Sequence, residues 1–572
     1  MDTQFSLWYY LKKEWKIYLP LALLCYFAAL FAAEGFGFKL LPVFDWPYIS
    51  FKDGLSLLSN LKRMDEGSFF LNARVGWPEG TQVYDFPQTE AVNYFLMKIL
   101  LMLTGGIYSA FNLFVLGTFF VNFIVSYAVC RAFGLNRALS FLCAFAYDFV
   151  PFHFLRFEHA IYTNYALIPV FVYVGYQLFN GNVISGVKAK IAYGLLMILC
   201  AGFVVYYSFF GCVIFLISGA CGFFKTRDFK VVKTTLFLIG MIFAGFILNL
   251  LPNIIYVIEH HANSLAAGRS PVFTEIFGLK LIEMYLPSLI HRAPALQNMA
   301  NMYYATQKML LETHASPLGL LGVCGSLVTF VYVLYMSSSR KTDSRLVYLS
   351  VLSLFLIIYA NVGGFSAVFS YMISPAIRSV NRISVVLALL ALLTLFVFIQ
   401  NLSAKIKMPC FCYWLFYTVL FGIILWDQFP AKHLFDKPQN WENDKAYFAK
   451  IEEIMGDEKG LYQLPFIPYP EGGALNDLAD YTMFDAFIHT KNLKMSYGGM
   501  KGRNGSVKLW VLSTLPISDQ IQKAKELGYG GVMIYTKGYE DNGKEIIGRL
   551  REIFGKEPLW DENETHAFFK ID

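Results

Sequence analysis

The sequence is dominated by runs of roughly 17–25 residues with few or no charges, each long enough to cross about 30 Å of hydrocarbon. No water satisfies the backbone inside a bilayer, so such runs must close their own hydrogen bonds and fold as helices. Composition agrees. Hydrophobic residues make up 56% of the chain and charged residues 15%, against about 45–50% and about 25% in soluble globular proteins. The expected fold is a polytopic α-helical membrane protein with about eleven transmembrane helices, followed by a soluble C-terminal α/β domain.

The expected spans lie near 17–33, 108–130, 138–153 and 166–180, then a tight hairpin of two spans turning near Tyr206–Tyr207, then 234–257, 318–336, 346–362, 383–400 and 410–426. Basic residues mark alternate connections: Lys12, Lys13 and Lys16, then Arg131 and Arg137, Lys188 and Lys190, the FKTRDFKVVK and SSSRKTDSR segments, and Lys405 and Lys407. By the positive-inside rule these connections are cytoplasmic. The N-terminus is then cytoplasmic, and the long loops 34–92 and 258–316 and the segment 427–572 lie outside. The net charge of +6 reads as this topological bias, and no nucleic-acid partner is expected. The first apolar run lacks an A-x-A-like site and is expected to be a retained helix. Residues 91–104 are expected to form an interfacial amphipathic helix. The nine cysteines lie in or beside apolar segments, so no disulfide framework is expected in the tail. There, helices near 443–455, 518–528 and 543–554 alternate with strands at GLYQLP, GYGGVMIYT and HAFFKI, giving a small sheet with covering helices.

The outer loops carry the candidate chemistry. Asp45, Asp53, Asp85 and Glu90 are acidic groups near the membrane surface. Asp53 opens the apolar-periodic stretch LSLLSNLKRM, so it sits at a helix N-terminus, where the dipole holds a carboxylate ionised, as a general base must be. Asp also caps helices, and the residue pattern leaves both roles open. Arg156, Glu158 and His159 lie where two spans meet outside, and charges at a bilayer edge are costly unless paired or functional. Arg156 suits a phosphate and His159 a leaving group; a loop-stabilising ion pair is the alternative. Arg378 and Arg382, four residues apart, share a face if the segment is helical and suit a phosphate, or else snorkel. His291 and Arg292 lie in the second long loop. The sequence holds no P-loop, Rossmann glycine motif, HExxH or nucleophile elbow, so nucleotide hydrolysis is not expected. It also lacks paired broken helices with buried charges, as many transporters have; Asp148 is the main deep-span charge.

The stretch KDGLSLLSNLKRMDEGSFFLNARVGWPEG, with Asp53, Trp77, Pro78 and Gly80, resembles the first outer loop of oligosaccharyltransferase catalytic subunits. YDFP at 84–87, PFHFLRFEHAIY at 151–162, IRSVNR at 377–382, DY at 480–481, SYGGMKGR at 496–503 and GYGGVMIYTKGY at 528–539 are similar to motifs of bacterial GT-C fold membrane glycosyltransferases. The resemblance implies a GT-C-like catalytic domain over 1–426 and an extracytoplasmic domain over 427–572. It implies transfer of a sugar, with inversion, from a polyprenyl-phosphate donor to a cell-envelope glycan or lipid-linked acceptor at the outer face of a bacterial inner membrane. Asp53 would then be the general base, with Asp85, Glu158 and His159 as further catalytic candidates. Arg156, Arg292, Arg378 and Arg382 would bind the donor phosphate, and Arg74, Trp77, Glu90, Tyr162 and His291 would line the acceptor side and its loops. The tandem D-x-D of some relatives is missing, since Gly54 and Leu55 follow Asp53, so no metal or other cofactor is expected. A transporter or flippase of lipid-linked saccharides is the alternative, and a non-catalytic assembly factor a third reading.

Overall fold

A computed structural model describes residues 7–35, 40–307, 312–338, 342–406, 409–456 and 459–571. Among them, eight helices are long and apolar enough to cross a membrane: Trp15–Glu34, Ile107–Ala132, Arg137–Leu155, Val205–Thr226, Phe229–His260, Gly319–Ser338, Val380–Ser403 and Cys410–Gln428. Leu236, Phe243 and Ile247 on one of these helices, and Phe411, Trp414 and Leu415 on another, face outward, as a lipid-contacting surface requires. The chain is a multi-pass membrane protein.

Three further expected spans are helical but shorter: Leu167–Phe179, Val187–Ala201 and Ser344–Ala360. The first has 13 residues and rises only about 20 Å. Its run Leu167–Gly175 is buried throughout, so neighbouring helices, not lipid, cover it. The hairpin turns at 202–204, and Tyr206 and Tyr207 lie in the first turn of its second helix instead. The outer connection after Asp148 is also more ordered than expected. Val150 is extended (φ −55°, ψ 143°) ahead of Pro151, which opens the helix Pro151–Leu155, as the steric demands of proline dictate. A 3-10 segment, Phe157–Thr163, follows and kinks at His159 (φ −110°, ψ 61°).

The first outer loop is pinned to the bundle by Asn112, whose side chain accepts from the Tyr48 amide at 2.9 Å and donates to the carbonyls of Val43 and Trp46. The helix Asp53–Asp65 follows, then a short antiparallel pair, β1 (Leu71–Asn72) and β2 (Thr81–Gln82), and the helix Ala91–Thr104.

The C-terminal region is built on β3 (Gly460–Leu464), β4 (Lys494–Met495), β5 (Tyr529–Tyr535), β6 (Leu559–Trp560) and β7 (His566–Lys570), in the order β4-β3-β5-β7-β6. β3 runs parallel to β4 and β5, whereas β7 runs antiparallel to β5 and β6. β3 and β5 are buried along their whole length, as central strands with both faces covered must be. The helices Trp441–Met455, Asn504–Ser513, Ile517–Glu526 and Lys544–Phe554 accompany the sheet.

The first outer loop continues this sheet beyond β4. Val75 forms a parallel bridge with Met495. The Met495 amide donates to the Arg74 carbonyl at 2.7 Å, and the Trp77 amide donates to the Met495 carbonyl at 2.9 Å. Gly76 is required here, because a Cβ would stand 2.6 Å from the Cα of Gly499. The helix that begins with Asp53 is tied to the same body by Lys62, which donates to the Ile488 carbonyl at 2.9 Å.

Candidate active site

Asp53 is the first residue of its helix, and Lys52 before it takes a left-handed backbone (φ 47°). No side chain caps this helix. The amides of Gly54 and Leu55 instead donate to the carbonyls of Phe51 and Lys52. The Asp53 carboxylate is therefore not spent on capping: its Oδ2 lies 2.9 Å from Nε2 of His159. Gly54 makes this close start possible, since a Cβ there would stand 2.3 Å from Cγ2 of Ile49. The 3-10 kink turns His159 toward Asp53, while its neighbour Glu158 pairs with Lys52 at 3.7 Å. Glu158 also lines a groove of about 450 Å³ walled by Phe51, Phe154, Phe157, Leu434 and Phe435.

Behind this pair lie two buried arginines. Arg156, 2% exposed, and Arg382, 5% exposed, each hold the Glu312 carboxylate at 3.0 Å, and Arg156 also donates to the Glu312 carbonyl at 2.8 Å. Each guanidinium keeps a buried Nε–H without an acceptor among the described residues. Arg382 lies against the rings of Tyr162 and Tyr206, at 3.9 and 4.5 Å, a cation–π arrangement that fixes its plane. Burial opposes ionisation of Glu312, but Arg382 and Arg156 hold its carboxyl well below the usual carboxylate range. Burial, helped by Arg156, lowers the His314 imidazole to about 4, so it is neutral at physiological pH. Glu90 accepts from Thr89 at 3.1 Å; burial pushes its carboxyl up, and Thr89 and Arg382 partly offset this.

On the other side of Asp53 lies the C-terminal region. A cavity of about 150 Å³ is bounded by Lys52 and Asp53 and, opposite, by Ala474, Ala479, Asp480 and Tyr481.

The remaining candidates lie elsewhere or are engaged otherwise. Arg378 does not share a partner with Arg382: the segment before Val380 is not helical, and Arg378 pairs with Glu471 at 3.0 Å, alongside Arg269. Asp85 is 1% exposed in its side chain and is gripped by Arg503 through two contacts of 2.7 Å, with Asn263 and Gln82 adding further bonds. Arg74 donates to Thr490 and Leu493, and Trp77 packs edge-on against Tyr529, so both serve as seams between loop and sheet. His291 faces Asp427 at 3.5 Å, and Arg292 reaches the carbonyls of Phe429 and Pro430. Among the described residues no three His, Cys, Asp or Glu side chains are grouped to hold a metal ion.

Glu312, His314, Tyr206, Glu471 and Asp480 were not among the candidates read from the sequence. Only Asp480 carried a signal, as part of the DY pair.

The helical bundle, the outer loop opening on an acidic helix start and the sheet-bearing C-terminal region together have the GT-C architecture. Arabinofuranosyltransferase AftD from mycobacteria shares this fold, with a TM-score of 0.51 and 13% identity over 91% of this chain and 35% of that one. The chain thus spans about a third of that protein's length. Looser similarities are found to the archaeal oligosaccharyltransferase AglB from Archaeoglobus fulgidus (TM-score 0.43, 11% identity, 98% and 74% of the two chains). ArnT from Cupriavidus metallidurans is similarly distant (TM-score 0.40, 12% identity, 97% of each chain). No protein-family model and no curated protein match the sequence.

Proposed function

We propose that this protein is a membrane glycosyltransferase that moves a sugar, with inversion, from a polyprenyl-phosphate donor to a hydroxyl of a cell-envelope glycan or lipid-linked acceptor. Asp53 is the general base. The observation that carries this reading is that the Asp53 carboxylate is held by His159 at a cavity rim instead of capping its helix.

In the step, the acceptor oxygen attacks the anomeric carbon while Asp53 takes the hydroxyl proton. The bond from that carbon to the phosphate oxygen breaks, and its electron pair goes to the phosphate. Arg156 and Arg382 meet the charge that develops there, through the buried Nε–H groups that lack acceptors in the structure. Glu312 bridges the outer nitrogens of the two guanidinium groups and so holds both cations in place while their Nε–H groups meet the phosphate. Glu158, paired with Lys52, lines the aromatic groove, which accommodates the first isoprene units of the donor. The same reading puts the N-terminus in the cytoplasm and the site and C-terminal region at the outer face of a bacterial inner membrane.

The test is transfer from a set of short-chain polyprenyl-phosphate monosaccharides to membrane-extracted glycans and lipids by the purified protein in nanodiscs. Labelled product in the wild type supports the reading. Donor left intact across the set, while the protein moves labelled lipid-linked sugar between leaflets, replaces it with a flippase.

A further inference from the structure

The cavity in front of Asp53 is closed by a carboxyl group from the other end of the chain. Asp480 faces Asp53 across about 150 Å³. The Asp480 carboxylate accepts from the Tyr481 amide at 3.0 Å and from the Gly473 backbone, which fixes it at the cavity wall, and each carboxylate oxygen has a second lone pair for a ligand hydroxyl. The segment bearing Asp480 is fixed from several sides. Tyr481 takes a left-handed backbone (φ 64°) and is buried, and its hydroxyl accepts from the Glu471 amide at 3.3 Å. Glu471 is itself clamped by Arg269 and Arg378 at 2.8 and 3.0 Å. A backbone anchored on two membrane-side arginines and on a buried ring presents its carboxyl in one place.

We infer that Asp480 is an acceptor-positioning residue: it accepts a hydrogen bond from a second hydroxyl of the acceptor while Asp53 takes the proton of the first. This rests on the transferase reading and narrows its substrate. Two acceptor oxygens facing each other across a small cavity match a pair of neighbouring hydroxyls, as a sugar ring carries, better than an isolated alcohol. Burial and the Asp53 charge push the Asp480 carboxyl up to about 6. An exposed carboxylate gains little from a hydroxyl that water could replace, whereas a partly desolvated one gains more. The C-terminal region is thereby part of the active site and selects glycan acceptors.

The experiment compares octyl glycosides with their monodeoxy analogues as acceptors, using farnesyl-phosphate monosaccharides as donors, for the wild type, Asp480→Asn and Asp480→Ser. Two substitutions are used so that poor folding of one does not stop the measurement. The wild type is expected to favour the intact diol by about tenfold or more in kcat/KM, chiefly through KM, since a hydrogen bond to a charged group is of that size. Both variants are expected to lower that preference severalfold, since neither a neutral amide nor a short hydroxyl supplies the charged acceptor. A purely structural residue would lower both acceptors alike and leave the ratio unchanged, which overturns the inference, as does a wild type with no preference. If the wild type consumes no donor at all, the transferase reading itself fails and the inference falls with it.

Discussion

Nε2 of His159 stands 2.9 Å from Oδ2 of Asp53, joining the kinked 3-10 segment after the third span to the helix that opens the first outer loop. The contact holds one carboxylate oxygen of a residue that also borders the cavity shared with Asp480. His159 is thus a positioning residue for the base. His159→Ala is expected to lower kcat about 10- to 100-fold, the range for a misplaced proton acceptor, with little change in donor KM. An equal fall in kcat and rise in donor KM would assign His159 to donor binding instead.

Glu312 bridges two guanidinium groups that are almost wholly buried. Glu312→Gln leaves the two cations facing each other and is expected to destabilise the protein by about 3 kcal/mol. Added donor phosphate should restore much of that stability, because it supplies the missing charge. Arg382→Ala should raise donor KM about tenfold or more. Thermal unfolding in nanodiscs, with and without a farnesyl-phosphate sugar, checks the first expectation, and donor titration checks the second.

The seam between the first outer loop and the C-terminal region includes the Asp85–Arg503 pair. Burial opposes ionisation of Asp85, yet Arg503, Asn263 and Gln82 hold its carboxyl below the usual range. A depressed folded pKa adds stability above the unfolded value, and this is lost as pH falls through the folded one. Arg503→Ala is therefore expected to lower the melting temperature at neutral pH, with the difference from wild type shrinking below about pH 4. Unfolding followed from pH 3 to 8 reads this out.

His566 lies between Asp485 and Asp561, at 3.1 and 3.3 Å. Burial works against its charge, but the two carboxylates win and raise it to about 9. The stabilisation is fully present below the unfolded value of about 6.5 and is lost as pH rises through about 9. Wild type should lose stability across that window, and His566→Gln should be less stable at pH 6 by about 3 kcal/mol and flatter above it.

The apolar spans were legible because bilayer thickness sets their length and lack of charge. Leu167–Phe179 matches the expected 166–180 to within a residue at each end, but its burial from Leu167 to Gly175 is a tertiary fact that local hydropathy does not contain. β3, β5 and β7 were legible as apolar runs, whereas β4 and β6 are two residues each and exist only because neighbours pair with them. Asp53 and His159 were each visible as unusual charges at a membrane edge. Their contact was not, since it depends on the backbone kink at His159. Arg378 and Arg382 shared a spacing but not a helix, and so took separate partners. Glu312 and Asp480 sit in irregular segments without periodicity, and only the fold brings them to the site.

The most direct test is glycosyl transfer by the wild type against Asp53→Asn, on the donor and acceptor pair the wild type uses best. Asn keeps the shape and the contact to His159 but takes up no proton. The account predicts a folded variant with kcat reduced by about a thousandfold or more. Transfer at the wild-type rate by Asp53→Asn would contradict it and leave Asp53 a structural residue of the loop.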